Sequence, residues 1–369
     1  MVNLDKFRDS KIAKNLLKKI DSLVTSPLSF MEVCGTHTVA ISQFGIRNAL
    51  PSNLKFLSGP GCPVCVTPIS EIDHIIELGE KKDIVITTFG DMMRVPGSHS
   101  TLEKERAKGR DIRVVYSSMD ALNIAEIEGD KKIVFVGVGF ETTSPTVAVT
   151  IRKAKEKGVH NFYVFSRFKL IPPAIKGVLE MGKNRIDGFL LPGHVSTIIG
   201  SHRYEFIPKG YQIPCVIGGF EPLDILHSIV LLLEQVKKSR PKVDIQYRRS
   251  VKEEGNLEAI KILEEVFEVK DTDWRGIGRI KKSGLELKAR YNFCDVDKAF
   301  KVKIKQSREP KGCICGEILM GNKLPQDCVL FGKKCTPHSP VGPCMVSSEG
   351  ACSAYYKYDV PRTNTEHHF

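Results

Sequence analysis

The segment Gly59-Pro60-Gly61-Cys62-Pro63-Val64-Cys65 sets the main constraint on this chain. It places two thiols three positions apart between prolines and glycines, so the backbone there is bent and locally stiff. A hydrophobic core does not require such a segment, because glycine and proline bury little side-chain surface. Two close thiolates, in contrast, can bind a soft metal or alternate between a dithiol and a disulfide. The segment therefore indicates metal or redox chemistry.

Two further cysteine-bearing regions lie on either side of this segment. Upstream, Met31-Glu32-Val33-Cys34-Gly35-Thr36-His37-Thr38 is a short apolar run that breaks at Cys34-Gly35. We expect the fold to bring this region into communication with the cysteines near the C-terminus. Those C-terminal cysteines are Cys313, Cys315, Cys328, Cys335, Cys344 and Cys352.

Length and composition predict a cytoplasmic protein of two or three domains. The chain has 369 residues, 41% of them hydrophobic, and no run approaches the roughly 18 apolar residues of a membrane helix. Residues 1–19 alternate charges with apolar residues at helical spacing, which is typical of an amphipathic surface helix rather than a signal peptide. The net charge of +12 fits a solvated lysine-rich surface or an acidic partner. Without an RNA-binding signature, a nucleic-acid partner is disfavoured.

The cysteine count has a different meaning in a reducing compartment than in a secreted protein. Clustered cysteines in a cytoplasmic chain indicate metal or redox function, and nine of the eleven belong to the regions named above. Cys215 and Cys294 stand alone, and we expect both to pack as small hydrophobic side chains.

The middle of the chain alternates strands and helices. Short continuous apolar runs separated by helical segments predict parallel strands covered on both faces, hence an α/β fold with two Rossmann-like parallel-sheet halves facing a cleft. We place the first α/β domain at residues 1–130, with Cys34, Cys62 and Cys65, and the second at 131–240. The predicted strands include 84–89, 113–116, 133–136, 162–165, 188–191 and 215–217.

Three predicted strands end in a similar combination of glycine, aromatic and acidic residues. These ends are Phe89-Gly90-Asp91, Gly139-Phe140-Glu141 and Gly219-Phe220-Glu221. Ligands of open parallel sheets bind beyond the carboxyl ends of the strands. We therefore expect these segments to line the cleft.

The third domain, residues 241–369, is expected to be helical and loop-rich and to be held together by its cysteines. Few large apolar residues follow residue 290, so sulfur or metal must replace a hydrophobic core. None of the cysteine gaps matches the usual paired spacing of structural zinc sites, whereas long irregular gaps suit a [4Fe-4S] cluster. Zinc and disulfides alone remain alternatives. Which four of the six cysteines would bind a cluster, leaving two for a redox pair, stays open.

Several motifs together closely resemble the HypD family of nickel–iron hydrogenase maturation factors. The resemblance covers nearly the whole chain and departs from the family at no cysteine. The motifs are 32–38 (EVCGTHT), 59–65 (GPGCPVC), 139–143 (GFETT), 192–196 (PGHVS) and 342–350 (GPCMVSSEG).

This resemblance implies a function beyond what the spacing predicts. Members of the family have two α/β domains and a third domain with a [4Fe-4S] cluster. With a small partner, HypC, and a cyanide donor, HypE, they form the scaffold on which the Fe(CN)2CO group is assembled before transfer to the hydrogenase large subunit. Cys34 would hold the iron, and Cys62 and Cys65 would supply a redox or iron-binding pair. The cluster with its neighbouring thiols is similar to that of ferredoxin:thioredoxin reductase.

Polar residues of the same motifs are further candidates for the site. Five of them follow predicted strands and could hydrogen-bond the diatomic ligands, although each also suits a turn or a helix cap. His37 lies three residues from Cys34, and as a base or cation it could lower the pKa of that thiol. The five are Glu141, Thr142, Thr143, His194 and Ser196.

The sequence also predicts where Cys34 lies relative to Cys62 and Cys65. If the apolar runs before Cys34 and Cys62 are adjacent parallel strands, their carboxyl ends lie side by side, about 4.8 Å apart per strand. Cys34 and the Cys62–Cys65 pair would then meet at one cleft. A thiol–disulfide reductase that takes electrons through the cluster would also explain both cysteine groups, and it is the alternative function.

Overall fold

Two parallel sheets organise the part of the chain that the computed structural model describes, residues 7–302 and 306–359. The first, sheet A, has five strands in the spatial order 2-1-7-8-9, and the second, sheet B, has four in the order 4-3-5-6. Sheet A comprises β1 (Leu28–Glu32), β2 (Leu54–Ser58), β7 (Gly188–Pro192), β8 (Cys215–Gly218) and β9 (Val243–Ile245); sheet B comprises β3 (Ile84–Thr88), β4 (Ile112–Val114), β5 (Lys132–Gly137) and β6 (Phe162–Ser166). The predicted α/β fold with two Rossmann-like halves is confirmed.

The chain enters the two sheets in an interleaved order. Residues 28–58 and 188–245 supply sheet A, while residues 84–166 between them supply sheet B. The boundary expected at residue 130 falls between β4 and β5 of one sheet, and the boundary expected at 240 falls between β8 and β9 of the other. Hydrophobic runs predict the number and direction of parallel strands, but they do not specify which strands pair, because pairing is decided by contacts distant in sequence.

Helices cover both faces of the sheets. The amphipathic helix predicted near the N-terminus begins at Ser10, where Asp9 caps it by accepting hydrogen bonds from the next amides, and packs on α12. Residues 1–6 of that prediction lie outside the described residues. The helices are α1 (Ser10–Leu23), α2 (Gly35–Gln43), α3 (Ile46–Ala49), α4 (Pro63–Val66), α5 (Ile69–Gly79), α6 (Leu102–Ala107), α7 (Ser118–Ile127), α8 (Ser144–Lys157), α9 (Ile171–Met181), α10 (Gly193–Ile199), α11 (Phe206–Tyr211), α12 (Pro222–Lys238), α13 (Leu257–Val266), α14 (Val296–Ala299), α15 (Cys315–Leu319), α16 (Pro343–Val346) and α17 (Ala351–Ala354).

An antiparallel hairpin follows α13 and was missed by the sequence patterns. It pairs β10 (Phe267–Trp274) with β11 (Gly278–Leu287) and packs its second strand against α9. Trp274 ends β10, and its indole N–H donates to Ser283 Oγ at 2.8 Å. The indole is 1% exposed and therefore part of the core.

After residue 300 the described chain has only short helical segments and loops. The longest α-helix there, α15, spans five residues, and four 3-10 segments and one π turn complete the regular structure of the described chain. The region packs against the helices that follow β1 and β2 of sheet A, through α17 on α2 and α16 on α4. The expectation of a loop-rich, cysteine-rich C-terminal region is confirmed. The shorter segments are Gly90–Arg94, His202–Tyr204, Ala289–Cys294 and Pro325–Asp327 (3-10) and Tyr355–Asp359 (π).

No helix among residues 7–302 and 306–359 is both long and apolar enough to span a membrane. The two isolated cysteines behave as the composition suggested. Cys215 begins β8 and Cys294 ends a 3-10 segment, and both thiols are completely buried among apolar side chains.

Candidate functional site

Cys34 lies where the carboxyl end of β1 meets the start of α2. The expectation of adjacent parallel strands is confirmed, because β1 pairs with β2 in parallel with Glu32 opposite Ser58. The chain beyond both strands stays in contact: the Gly35 amide donates to the Gly61 carbonyl at 3.0 Å. Gly61 approaches so closely that a β-carbon there would lie 2.2 Å from the Cys34 nitrogen. The residue just before Cys62 therefore abuts Cys34.

This close contact gives the first testable prediction. Gly61→Ala would force the two strand ends apart, so we expect a loss of roughly 2–4 kcal/mol in the free energy of unfolding. Denaturant unfolding followed by circular dichroism measures the change. Gly129→Ala is the matched control, because a β-carbon at Gly129 meets no atom within 4 Å. Equal stabilities of the two variants would contradict the packing described here.

The surroundings of Cys34 favour its neutral thiol. Burial raises its pKa to about 12, and the carboxylates of Glu349 and Glu32 act in the same direction, while the backbone amides of His37 and Thr36 oppose them. The residue is 7% exposed and caps the N-terminus of α2. The thiol is therefore protonated at neutral pH unless a cation binds beside it.

Cys62 and Cys65 lie together at the start of α4. The Cys65 amide donates to Cys62 Sγ at 3.3 Å, and the Cys65 thiol donates to the Pro343 carbonyl at 3.9 Å. Burial raises the pKa of Cys65 well above its ordinary value, and the neighbouring thiols of Cys344 and Cys62 raise it further. The Cys-x-x-Cys pair is thus held between sheet A and the C-terminal region.

Five of the six C-terminal cysteines line one small cavity. Apolar side chains complete its walls, among them Ile318, Phe331 and Met345. No three Cys, His, Asp or Glu side chains among the described residues form a ready-made site for a single metal ion. The five cysteines are Cys313, Cys315, Cys328, Cys335 and Cys352.

The sixth cysteine, Cys344, connects the cavity to the Cys-x-x-Cys pair. Its pKa is lowered to about 6, chiefly by interaction with the Cys315 thiol and then by that of Cys65. Cys315 in turn lies 3.3 Å from Cys313, sulfur to sulfur, and interacts with Cys352. A continuous series of thiols therefore runs from Cys62 and Cys65 to the cavity.

The structure gives the His37 imidazole a different neighbour from the one suggested by its spacing. Its Nε2 lies 2.9 Å from the Gly219 carbonyl, and its ring packs on Phe220 with 4.7 Å between centroids. Burial lowers its pKa to about 4, so the ring is neutral at physiological pH. The His37 amide, rather than the imidazole, lowers the pKa of Cys34.

The remaining candidates occupy strand ends of both sheets. His194 is exposed and stacks on the same Phe220 ring that packs against His37, with 4.1 Å between the His194 and Phe220 ring centroids. Thr142 is exposed, and Thr143 caps α8. The Ser196 hydroxyl donates to the Pro192 carbonyl at 2.7 Å, which fits the alternative of a local backbone contact.

Sequence comparisons show which family this chain is similar to. The family described as "HypD: Hydrogenase formation hypA family" matches residues 11–359. A hydrogenase maturation factor HypD2 of Bradyrhizobium diazoefficiens is 47% identical over 364 residues, covering 96% of each chain. The HypD factor of Escherichia coli is 46% identical over 333 residues, 90% of this chain and 89% of that protein. A putative hydrogenase expression/formation protein of Methanocaldococcus jannaschii is 44% identical over 360 residues, 97% of this chain and 99% of its own.

The chain belongs to the HypD family. The resemblance inferred from the motifs is thereby confirmed, and with it a role in hydrogenase maturation.

Two residues of this HypD-family site were not singled out from the sequence. Glu349 comes from the C-terminal region and accepts a hydrogen bond from Thr36 Oγ1 at 2.8 Å, which ties that region to the Cys34 turn. Tyr204 is completely buried, with its hydroxyl 3.3 Å from Ser196 Oγ. Glu349 lies inside one of the motifs that carry the resemblance, so a residue-by-residue examination of that motif would have found it. Tyr204 has no comparable signal in a single sequence.

Four buried polar atoms at or just beyond strand ends have no partner within the described chain. They are His37 Nδ1, Ser58 Oγ, Thr88 Oγ1 and Glu141 Oε2, which end or follow β1, β2, β3 and β5. Buried polar atoms are nearly always hydrogen-bonded, so these four are available to a bound group. The site in this HypD-family chain thus has free hydrogen-bonding capacity where the sequence predicted a cleft.

The buried Glu141 carboxyl yields a second prediction, on pH dependence. Burial raises its pKa from 4.5 to about 7, although the Ile171 amide donates to Oε1 at 2.9 Å. Because the folded-state pKa is raised, the contribution of this group to stability falls as pH rises from about 4.5 to 7. Glu141→Gln keeps the acceptor and removes the charge, so it should stabilise the protein relative to the parent at pH 8, by up to about 3 kcal/mol, and much less at pH 5.

Urea titrations at the two pH values measure this difference. Glu103→Gln, on an exposed helical surface, is the control and should show no such dependence. A Glu141→Gln variant with the same relative stability at both pH values would show that Glu141 ionises normally in the fold.

Proposed function

We propose that this HypD-family protein is a scaffold and redox-active factor for assembly of the Fe(CN)2CO group of nickel–iron hydrogenase. It would act with a small HypC-like partner and a HypE-like cyanide donor, and the finished group would pass to the hydrogenase large subunit. The observation that carries the proposal is the series of thiols that leads from Cys62 and Cys65 to the cysteine cavity. Cys62 and Cys65 themselves lie beside the Cys34 turn. Reductive attachment of a ligand to iron requires a thiol that holds the iron and a source of electrons close to it.

Cys34 is the proposed ligand of the iron that is built up as the substrate. A low-spin iron with diatomic ligands is a soft centre, and thiolate is the matching protein donor. Binding of ferrous iron would displace the thiol proton despite the high pKa, because two carboxylates, Glu32 and Glu349, favour a cation at this position. A cysteine of the small partner would provide a second ligand.

The cavity suits a [4Fe-4S] cluster as the resident cofactor. Its lining combines five thiols with apolar side chains, and cubane clusters are held by four thiolates. Cys344 is absent from the lining and interacts with Cys315, so these two form the natural redox pair. Removing that pair leaves Cys313, Cys328, Cys335 and Cys352 as the proposed ligands, all of them on the cavity wall. The cluster would supply single electrons.

The dithiols give this chain a source of two electrons. Cyanide carried by a partner as a thiocyanate is released when the sulfur–carbon bond takes up two electrons, giving a thiolate and cyanide. A dithiol that becomes a disulfide supplies those two electrons and loses two protons. Cys62 and Cys65 are placed for this step, and the interaction of Cys65 with Cys344 would let the second pair restore the dithiol by thiol–disulfide exchange.

The polar groups at the strand ends are proposed to orient the diatomic ligands. Glu141, Thr142, Thr143, His194 and Ser196 would contribute hydrogen bonds from the carboxyl ends of β5 and β7. Protonated Glu141 is the best donor among them, because its pKa of about 7 keeps much of it neutral at physiological pH and its Oε2 has no other partner. His37 would contribute through its unpartnered Nδ1.

Infrared spectroscopy of the protein co-expressed and co-purified with its HypC-like partner tests the assembly proposal. Bands in the cyanide and carbonyl stretching region, lost on Cys34→Ala, are the expected result. The same arrangement of thiols also suits an iron–sulfur thiol–disulfide reductase. That alternative predicts turnover of a disulfide substrate without any partner, and a partner-bound protein that has no such bands.

A further inference from the structure

An exposed apolar residue marks the outer wall of the cysteine cavity. Val329 is 71% exposed although it follows directly on Cys328, one of the cavity-lining cysteines. The neighbouring Leu330 turns inward and lines the cavity, and Gly312 packs against both side chains. Cys328 Sγ lies 3.6 Å from the Gly312 carbonyl, so only this thin layer of chain separates the cavity from the surface.

Lysines surround this residue. Lys311 adjoins Gly312, and Lys333 and Lys334 occupy the turn between Leu330 and Cys335, which the Cys335 amide closes onto the Leu330 carbonyl at 2.9 Å. All three are exposed, and none forms an ion pair within the described part of the chain. We call Lys311, Val329, Lys333 and Lys334 the Val329 patch.

The patch residues lie next to cavity-lining residues in the chain. Cys328 and Cys335 line the cavity, and the chain that joins them carries Val329 and both turn lysines. The acid close by, Asp327, already accepts a hydrogen bond from the Leu324 amide at 2.8 Å and caps a 3-10 turn. The three lysines outnumber this one carboxylate, so the charge around the exposed Val329 is positive overall.

We propose that the Val329 patch docks a small acidic one-electron carrier protein, an inference that rests on the iron–sulfur cofactor proposed above. Complexes between redox proteins have small interfaces and bind transiently, and complementary charge accelerates their encounter. The apolar centre excludes water at the contact, while the lysines attract and orient an acidic partner. In each encounter the carrier is oxidised by one electron, and the cofactor in the cavity is reduced by one.

The test follows reduction of the iron-loaded protein by a photoreduced ferredoxin of low isoelectric point, in stopped-flow at low salt. Lys333→Glu/Lys334→Glu should slow the second-order rate roughly tenfold or more and flatten its salt dependence. Val329→Ser should weaken binding of labelled ferredoxin, observed by NMR titration, with little change in salt dependence. The matched control is Lys14→Glu/Lys18→Glu on the exposed face of α1, which makes the same change in net charge.

Reduction by photoreduced deazaflavin, which needs no docking surface, should be equal in all four proteins and confirms that the cofactor is intact in each. Equal ferredoxin rates for the patch and control variants would overturn the inference and leave the proposed function standing. Protein that holds no iron after anaerobic preparation would overturn both the cofactor assignment and the inference.

Discussion

Cys34→Ala is expected to abolish hydrogenase maturation while leaving the fold and the proposed cluster intact. The thiol is the only side-chain donor at the turn between β1 and α2 that matches a soft iron, so no neighbouring group replaces it. Removing one largely buried sulfur should cost about 1 kcal/mol of stability, far too little to unfold the domain. Hydrogenase activity in a complemented deletion strain measures the loss, which should reach background.

Cys215→Ala and Cys294→Ala are matched controls for this experiment. Both remove a completely buried thiol of similar volume that lies outside the site, so both should retain maturation. Cys34→Ser tests whether a hydroxyl suffices, and we expect it to fail because oxygen is a hard donor. A Cys34→Ala strain that still produced active hydrogenase would end the assignment of Cys34 as the iron ligand.

Cys335→Ala is expected to remove the iron of the C-terminal region, whereas Cys344→Ala is expected to retain it. Cys335 lines the cavity, while Cys344 faces Cys315 and Cys65. Anaerobically purified parent protein should contain about four irons per chain and be brown. Loss of a ligand should also loosen residues 313–359, because bound thiolates take the place of a hydrophobic core there. Iron analysis, visible absorption and hydrogen exchange measure these effects.

The comparison of the two variants decides between cluster and redox roles for each cysteine. Cys344→Ala should keep the colour and lose maturation, since it breaks the thiol series between Cys65 and Cys315. Loss of iron in Cys344→Ala with retention in Cys335→Ala would invert the assignment. Bound zinc with no iron in the anaerobically prepared parent would exclude a cluster altogether.

The parallel α/β halves followed from local pattern. Runs such as Ile133–Val136 are short and apolar at every position, which is typical of a strand covered on both faces, and glycine follows several of them where the chain turns. The juxtaposition of Cys34 with the Cys62 turn was also predictable, because two short runs that end in cysteine-bearing turns become neighbours if their strands pair in parallel. The hairpin of β10 and β11 was not predicted, because the polar residues from Lys270 to Asp273 interrupt the alternation that begins at Phe267.

The sequence by itself determined the donor chemistry: which thiols exist, that they cluster in two regions, and that the chain resembles the HypD family. The tertiary structure alone decided which groups meet. It turned the His37 imidazole toward Gly219, brought Glu349 to Thr36 across more than 300 residues, and placed Cys344 between Cys65 and the cavity-lining Cys315. Residue types and local periodicity are encoded within a few positions, whereas contacts between distant segments depend on how whole sheets and loops pack, which no single stretch of sequence specifies.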